Sequence, residues 1–353
     1  MIYGEGELNI QKIIDFSRNN VKYFKGIIWV ICIWILSTLN FYNPDIDNYK
    51  NLYKVIGDGV QVRNIERGFC IFIMLANRIN LSYNEFIFVF LSIAVFIFLK
   101  ALIFFDKDIK TPLLLYIIFP FFLDVVQIRN FMAMAITLFS LRFLVRDDWK
   151  GICFYIVGIL TASAFHSVAL CYLVFIFIHK KYRATLCILS VIFIALLVTI
   201  FSDAVININF IDRMQKYMEK LLQGTRTYTK ILFGSFFMFY YIMLKILNVK
   251  GTNIVENIGW SKYKLVYAIS KMMFIFLPVT FFDVDFFRIY RNIIPLFNVA
   301  ICSQIKKQNI ANRFFYKTIL FIFTIVLFWL FIAAYTFEDV FISILKYNYL
   351  WGK

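Results

Sequence analysis

The stretch FFDVDFFRIYRNIIP (281–295) places Arg288 and Arg291 three residues apart. On a helix they share a face and can grip one phosphate group from two directions. Asp285 stands three before Arg288. It is read either as a local ion-pair partner or as a polar ligand for substrate. A third arginine, Arg129, lies with Asp124 inside FLDVVQIRNFMAMAITLF (122–139), between two apolar arms. A central arginine costs about 2.5–3.5 kcal/mol on membrane-insertion scales, so it is paired or functional. The bland alternative has Asp124 and Arg129 neutralise each other. His166 is one of two histidines in the chain and interrupts GILTASAFHSVALCYLVFIF (158–177). It is either a packing ring with one hydrogen bond or a group that exchanges or donates a proton near neutral pH. The segment NPDIDNYKNLYKVIGDGVQVRNIER (43–67) interleaves Asp45, Asp47, Tyr49, Tyr53, Asp58 and Glu66. Carboxylates accept hydroxyl hydrogen bonds and tyrosine faces cover sugar rings, so the pattern suits carbohydrate as well as plain solvation. Together these residues would hold a phosphorylated substrate beside a sugar hydroxyl, with arginines rather than a metal meeting the charge.

The elements that must position them are membrane helices. The chain has 353 residues, 62% hydrophobic and 20% aromatic, beyond the range of soluble domains. Apolar windows long enough to cross about 30 Å of hydrocarbon recur from Ile27 to Ala334. No separate soluble domain remains, so residues 1–353 form a single membrane domain. The six cysteines sit singly in apolar runs, with no histidine or aspartate at metal-ligand spacing, and no cofactor is implied. The net charge of +16 is spread over short loops rather than gathered on a soluble face, which speaks for topology and against nucleic acid.

With the amino terminus in the cytoplasm, about eleven spans follow, near 26–42, 84–104, 111–126, 131–145, 151–164, 166–178, 184–201, 230–248, 265–281, 289–305 and 315–334. The main periplasmic loops are then 43–67 and 202–229. The cytoplasmic side receives 21 of the 37 Lys and Arg but only 8 of the 21 acids, the outer side 15 and 13, as expected of a bacterial inner-membrane protein. The run 151–178 is basic at both ends and, as one helix, would extend about 42 Å. It therefore reads as a hairpin of two short arms with His166 at the outer knee, below the surface in a protein-lined cleft. The segment INFIDRMQKYMEKLLQ (208–223) puts Ile211, Met214, Met218, Leu221 and Leu222 on one helical face and Arg213, Lys216 and Lys220 on another. It reads as a periplasmic amphipathic helix on the lipid bilayer, with Arg213 and Tyr217 as substrate ligands. The fold class is all-α and polytopic.

The order DNYKNLY (47–53), ERGF (66–69), QIRNFMAMAI (127–136) and AFHSVAL (164–170) resembles the EpsG/Wzy type of bacterial oligosaccharide-repeat polymerase over nearly the whole chain. The resemblance implies polymerisation of O-antigen or capsule repeat units carried on undecaprenyl pyrophosphate, at the periplasmic face. It also implies a chain-length regulator as a partner. In that reading Arg129, Arg288 and Arg291 serve the pyrophosphate, and His166 and Glu66 belong to the catalytic set. Asp45, Asp47, Tyr49, Arg213, Tyr217 and Asp285 contact substrate. His166 is either general base or phosphate ligand, and Asp45, Asp47 and Glu66 are rival bases or sugar ligands.

Three other readings compete. A lipid-linked oligosaccharide flippase should show an internal repeat of spans, and none is visible. A membrane O-acetyltransferase needs a histidine open to an acyl donor, and no histidine precedes 166. An O-antigen ligase uses the same donor and is barely separable by pattern.

Overall fold

A computed structural model of the chain describes residues 26–60, 62, 65–146, 148–178, 227–248, 262–281, 284–334 and 336–351. Arg213, Tyr217, the amphipathic segment 208–223 and the span expected at 184–201 lie outside the described residues.

Among those residues the chain is helical, with one isolated antiparallel bridge between Asn40 and Asn348. The elements in order are α1 (Gly26–Thr38), α2 (Ile46–Gly57), α3 (Arg67–Arg78), α4 (Tyr83–Phe105), α5 (Lys110–Ile118), α6 (Phe121–Val126), α7 (Ile128–Ser140) and α8 (Trp149–Ser163). A 3-10 helix, α9 (Ser167–Phe177), follows. Then come α10 (Thr227–Asn248), α11 (Lys262–Thr280), α12 (Phe287–Arg291), α13 (Ile294–Ile305) and α14 (Ile310–Phe328).

Five helical segments are long and apolar enough to cross a membrane: 83–105, 128–145, 230–247, 262–280 and 310–333. This is a membrane protein. The 23 residues of α4 rise about 34 Å at 1.5 Å per residue, enough to cross alone. A capping box between Ser82 and Glu85 starts it. Three further apolar helices, α1, α8 and α9, are shorter. The expected first loop, 43–67, is in fact ordered by α2. The residues after it form α3.

The core is built around α7 and α13, whose residues are buried almost throughout. Small residues let α7 pack closely. A Cβ added at Gly158 of α8 would come within 2.0 Å of the Ser140 hydroxyl. Asn130 and Asn292 exchange two side-chain amide hydrogen bonds of 3.0 Å each, tying the start of α7 to the residue after α12. Both asparagines are about 1% exposed, so each amide must find its partner inside the protein.

The hairpin expected around His166 is present. Arms α8 and α9 pack side by side, and the Tyr155 hydroxyl donates to the Tyr172 carbonyl at 2.7 Å across them. With 15 residues of α-helix and 11 of 3-10 helix, each arm is about 22 Å long. Neither arm alone matches a full hydrocarbon core. The other hairpin is also broken where expected, at Gln127 between α6 and α7.

Candidate functional site

The knee at 164–166 is fixed by the start of α3. The Gly68 amide donates to the Ala164 carbonyl at 2.8 Å, and a Cβ at position 68 would come within 2.6 Å of that same oxygen. Only glycine permits this approach without displacing backbone. Glu66, the N-cap of α3, is thereby delivered to the knee, where its Oε1 accepts from the Ser167 amide at 3.1 Å. Its Oε2 forms an ion pair with Arg129 at the first turn of α7. The Arg129 guanidinium also stands 5.9 Å from the Phe69 ring centre, one residue after Gly68. The ERGF stretch thus acts as one unit: Glu66 binds Arg129, Gly68 meets the knee and Phe69 lies beneath the guanidinium.

Arg288 and Arg291 arrive on α12, as their spacing predicts. They do not grip one group from the same depth. Arg291 is buried and donates to Asp124 at 3.2 Å and to Gln127 at 2.7 Å. Asp124 also accepts from the Tyr116 hydroxyl at 3.0 Å. The bland alternative, a local pairing of Asp124 with Arg129, is not formed: two long-range pairs take its place, because the break at Gln127 turns the two residues apart. Arg288, half-buried, places Nη1 3.1 Å from Nε2 of His166.

His166 caps α9: its Nδ1 faces the Val168 amide at 3.3 Å. Both ring nitrogens thus face donors. A neutral imidazole has one N–H and one acceptor, whereas a guanidinium and a backbone amide only donate. One of the two donors therefore lacks an acceptor on the ring; in the tautomer whose Nδ1 accepts from Val168, Nε2–H and the Arg288 N–H are both met by an acceptor that bridges them from one side. Burial pushes the imidazole pKa down to about 4, Glu66 opposes that, and the charges of Arg288, Arg129 and Arg291 add to the depression. At neutral pH the ring is uncharged and suited to donating one hydrogen bond.

Asp45, the residue before α2, is half-buried and feels the charges of Arg129 and Arg288. Tyr49 lies one turn later on the same face, buried beside Arg129. Asp47 falls on the other side of α2 and is exposed. Asp285 is exposed as well, just ahead of α12.

The structure therefore gathers Arg129, Glu66, His166, Arg288, Arg291, Asp45 and Tyr49 at one end of the helices and leaves Asp47 outside. Sequence reasoning missed Tyr116, Gln127, Asn130 and Asn292, which position the set. The signal was present as amides within apolar runs, in QIRN (127–130) and RN (291–292). Among the described residues no group of three His, Cys, Asp or Glu could hold a metal ion.

A family model, that of the EpsG family, matches residues 23–349. No curated protein and no solved structure matches the chain.

Proposed function

The chain belongs to the EpsG family, and from that premise we propose that it polymerises oligosaccharide repeat units carried on undecaprenyl pyrophosphate. Membership supports a polysaccharide-polymerase function. The finer reading sets the reaction at the periplasmic face of the bacterial inner membrane, with repeat units destined for O-antigen, capsule or exopolysaccharide. The observation that carries it is the meeting of Arg288 and His166 at 3.1 Å beside Arg129 and Glu66, in a knee between two short helices.

In this reading the acceptor sugar hydroxyl attacks the anomeric carbon of the donor. The new C–O bond forms as the anomeric carbon–phosphate oxygen bond breaks, and its electron pair leaves with the lipid pyrophosphate. A pyrophosphate oxygen that bridges Arg288 Nη1 and His166 Nε2–H from one side satisfies both donors at once. Hydrogen-bond donors fixed where charge develops are the usual main source of such acceleration. Arg129, held by Glu66, faces the same space and steadies the leaving group. Arg291 has a different task. Its bonds to Asp124 and Gln127 hold the helix that carries Arg288. Tyr49, with any contribution from Asp285, Arg213 and Tyr217, serves the sugars and the lipid headgroup.

Deleting the gene and separating the surface polysaccharide on a gel tests the reading. A polymerase deletion leaves a single repeat unit on the lipid A core. A ligase deletion leaves none on the core, and an unchanged ladder would reject both assignments.

A further inference from the structure

The transfer just described frees one proton, from the acceptor hydroxyl, and four groups at the site end compete to take it. Three are already engaged. Asp124 is 1% exposed and uses Oδ1 for Arg291 and Oδ2 for the Tyr116 hydroxyl. Glu66 uses Oε2 for Arg129 and Oε1 for the Ser167 amide. His166 has a backbone amide at Nδ1 and a guanidinium at Nε2, so a proton gained at either nitrogen would point at another donor.

Asp45 differs from all three. Among the described residues no hydrogen bond or ion pair engages its carboxylate, although it stands at the start of a 12-residue helix where a cap is expected. Its backbone is nevertheless held firmly. The Asp45 amide donates to Asn43 Oδ1 at 3.1 Å, the buried Asn43 donates to Asn40 Oδ1 at 3.0 Å, and Asn40 donates to the Tyr347 carbonyl at 3.0 Å. Asn348 extends the chain of amides to the Ile35 carbonyl at 3.0 Å. A carboxylate that no described residue engages is thus set on a hydrogen-bonded backbone, on the α2 face that carries Tyr49, within reach of the Arg129 and Arg288 charges.

Resting on the polymerase reading, we propose that Asp45 is the general base that removes the acceptor proton, and that His166 enters the reaction only as a neutral donor to the pyrophosphate. The proton passes from the sugar hydroxyl to a carboxylate oxygen of Asp45 as the hydroxyl oxygen bonds to the anomeric carbon. Burial lifts the Asp45 carboxyl above the ordinary aspartate range despite the two guanidinium groups, which makes it a better proton acceptor once ionised. The rate should therefore fall on the acid side along a limb set by Asp45, higher than an ordinary aspartate would give.

The test uses the full chain in lipid nanodiscs with a synthetic undecaprenyl-pyrophosphate repeat unit, wild type as the reference. Asp45→Ala should lower kcat on the order of 10²-fold or more, leave the donor KM within about twofold, and regain at least about tenfold on addition of sodium formate, which restores a carboxylate. Asp45→Asn, which keeps the shape, should accumulate normally and show the same loss without the acid limb. Full activity of Asp45→Asn would overturn the proposal. So would a loss that appears as a raised KM without formate rescue, the pattern of a sugar ligand. If wild type makes no polymer from this substrate, the polymerase reading falls and this proposal with it; an active wild type confines any failure to Asp45.

Discussion

The two ends of the helical bundle handle charge in opposite ways. At the end away from the site, the Lys306 ammonium meets Asp106 Oδ2 at 3.0 Å, Asp108 Oδ2 at 3.1 Å and the Asp108 carbonyl at 3.0 Å. Two hydrogen bonds and a second ion pair thus engage the ammonium and tie α13 to the α4–α5 connection. At the site end, the Arg288 guanidinium and the Val168 amide face the two nitrogens of His166, which on a neutral ring offers only one acceptor, and Asp45 carries a carboxylate that no described residue engages. An unpartnered arginine Nε is not the distinguishing mark, since Arg142 and Arg313 share it with Arg129, Arg288 and Arg291. The difference lies in complementarity. One end is matched by its own residues, while the other presents donors and a carboxylate that the described residues leave unmatched.

Substitutions can break or sharpen this contrast. The largest effect should come from Arg291→Ala, which strands the 1%-exposed Asp124 beside Tyr116. Removing one partner of a buried pair costs about 3–5 kcal/mol, so folded protein in the membrane should drop sharply. Adding Asp124→Asn should recover much of it, and in-gel fluorescence of a tagged protein measures both. If Arg291→Ala accumulates normally, the positioning role is wrong.

Next is Arg288→Lys, expected to fold as wild type but to lose roughly 10²-fold in polymerisation, because a lysine offers a point charge where a planar fork is needed. Near-normal polymer length on a gel would show that only the charge matters. Gly68→Ala should follow, with thermal stability and donor KM both worsened, since the new Cβ meets the Ala164 carbonyl at 2.6 Å and displaces Glu66 from Arg129. Lys306→Met, at the satisfied end, should cost about 1 kcal/mol or less because the ion pairs are partly exposed. Polymerisation by this variant should be unchanged in vitro, and a large activity loss would erase the contrast between the ends.

A test of another kind concerns pH. The folded-state His166 pKa is depressed to about 4, below the ordinary 6.5, so between those values the unfolded chain binds more protons. Stability therefore falls as pH drops through about 6.5 toward 4 and is regained above it. The melting temperature of His166→Gln should lack this component when compared with wild type at pH 5 and pH 7.

Much of the site was legible from residue type and charge flanks. Arginines within apolar runs and a histidine between two basic segments marked the hairpins at 127 and 166. The pairing was not legible, since Glu66 meets Arg129 across 63 residues and Asp124 meets Arg291 across 167. Nearness in sequence offered Asp124 with Arg129 as an alternative, and the turn at Gln127 sends them to other partners. The ordering of 43–67 was hidden for a related reason. Helix α2 is weakly apolar and is held by packing against α3 and by the amides around Asn40, Asn43 and Asn348, a contact from the far end of the chain. The expected total of about eleven crossings rests on charge distribution, against five long apolar helices among the described residues.

The central claim is that Arg288 and His166 form a seat for a pyrophosphate oxygen. The chain's two histidines, His166 and His179, make it open to direct observation. In a His179→Gln protein with 15N-labelled histidine, the single imidazole should appear at pH 7 as the neutral Nε2–H tautomer. Its Nε2 resonance should shift on titration with inorganic pyrophosphate, and the shift should vanish in Arg288→Ala. An Nδ1–H tautomer, or a spectrum unmoved by saturating pyrophosphate, would contradict the account.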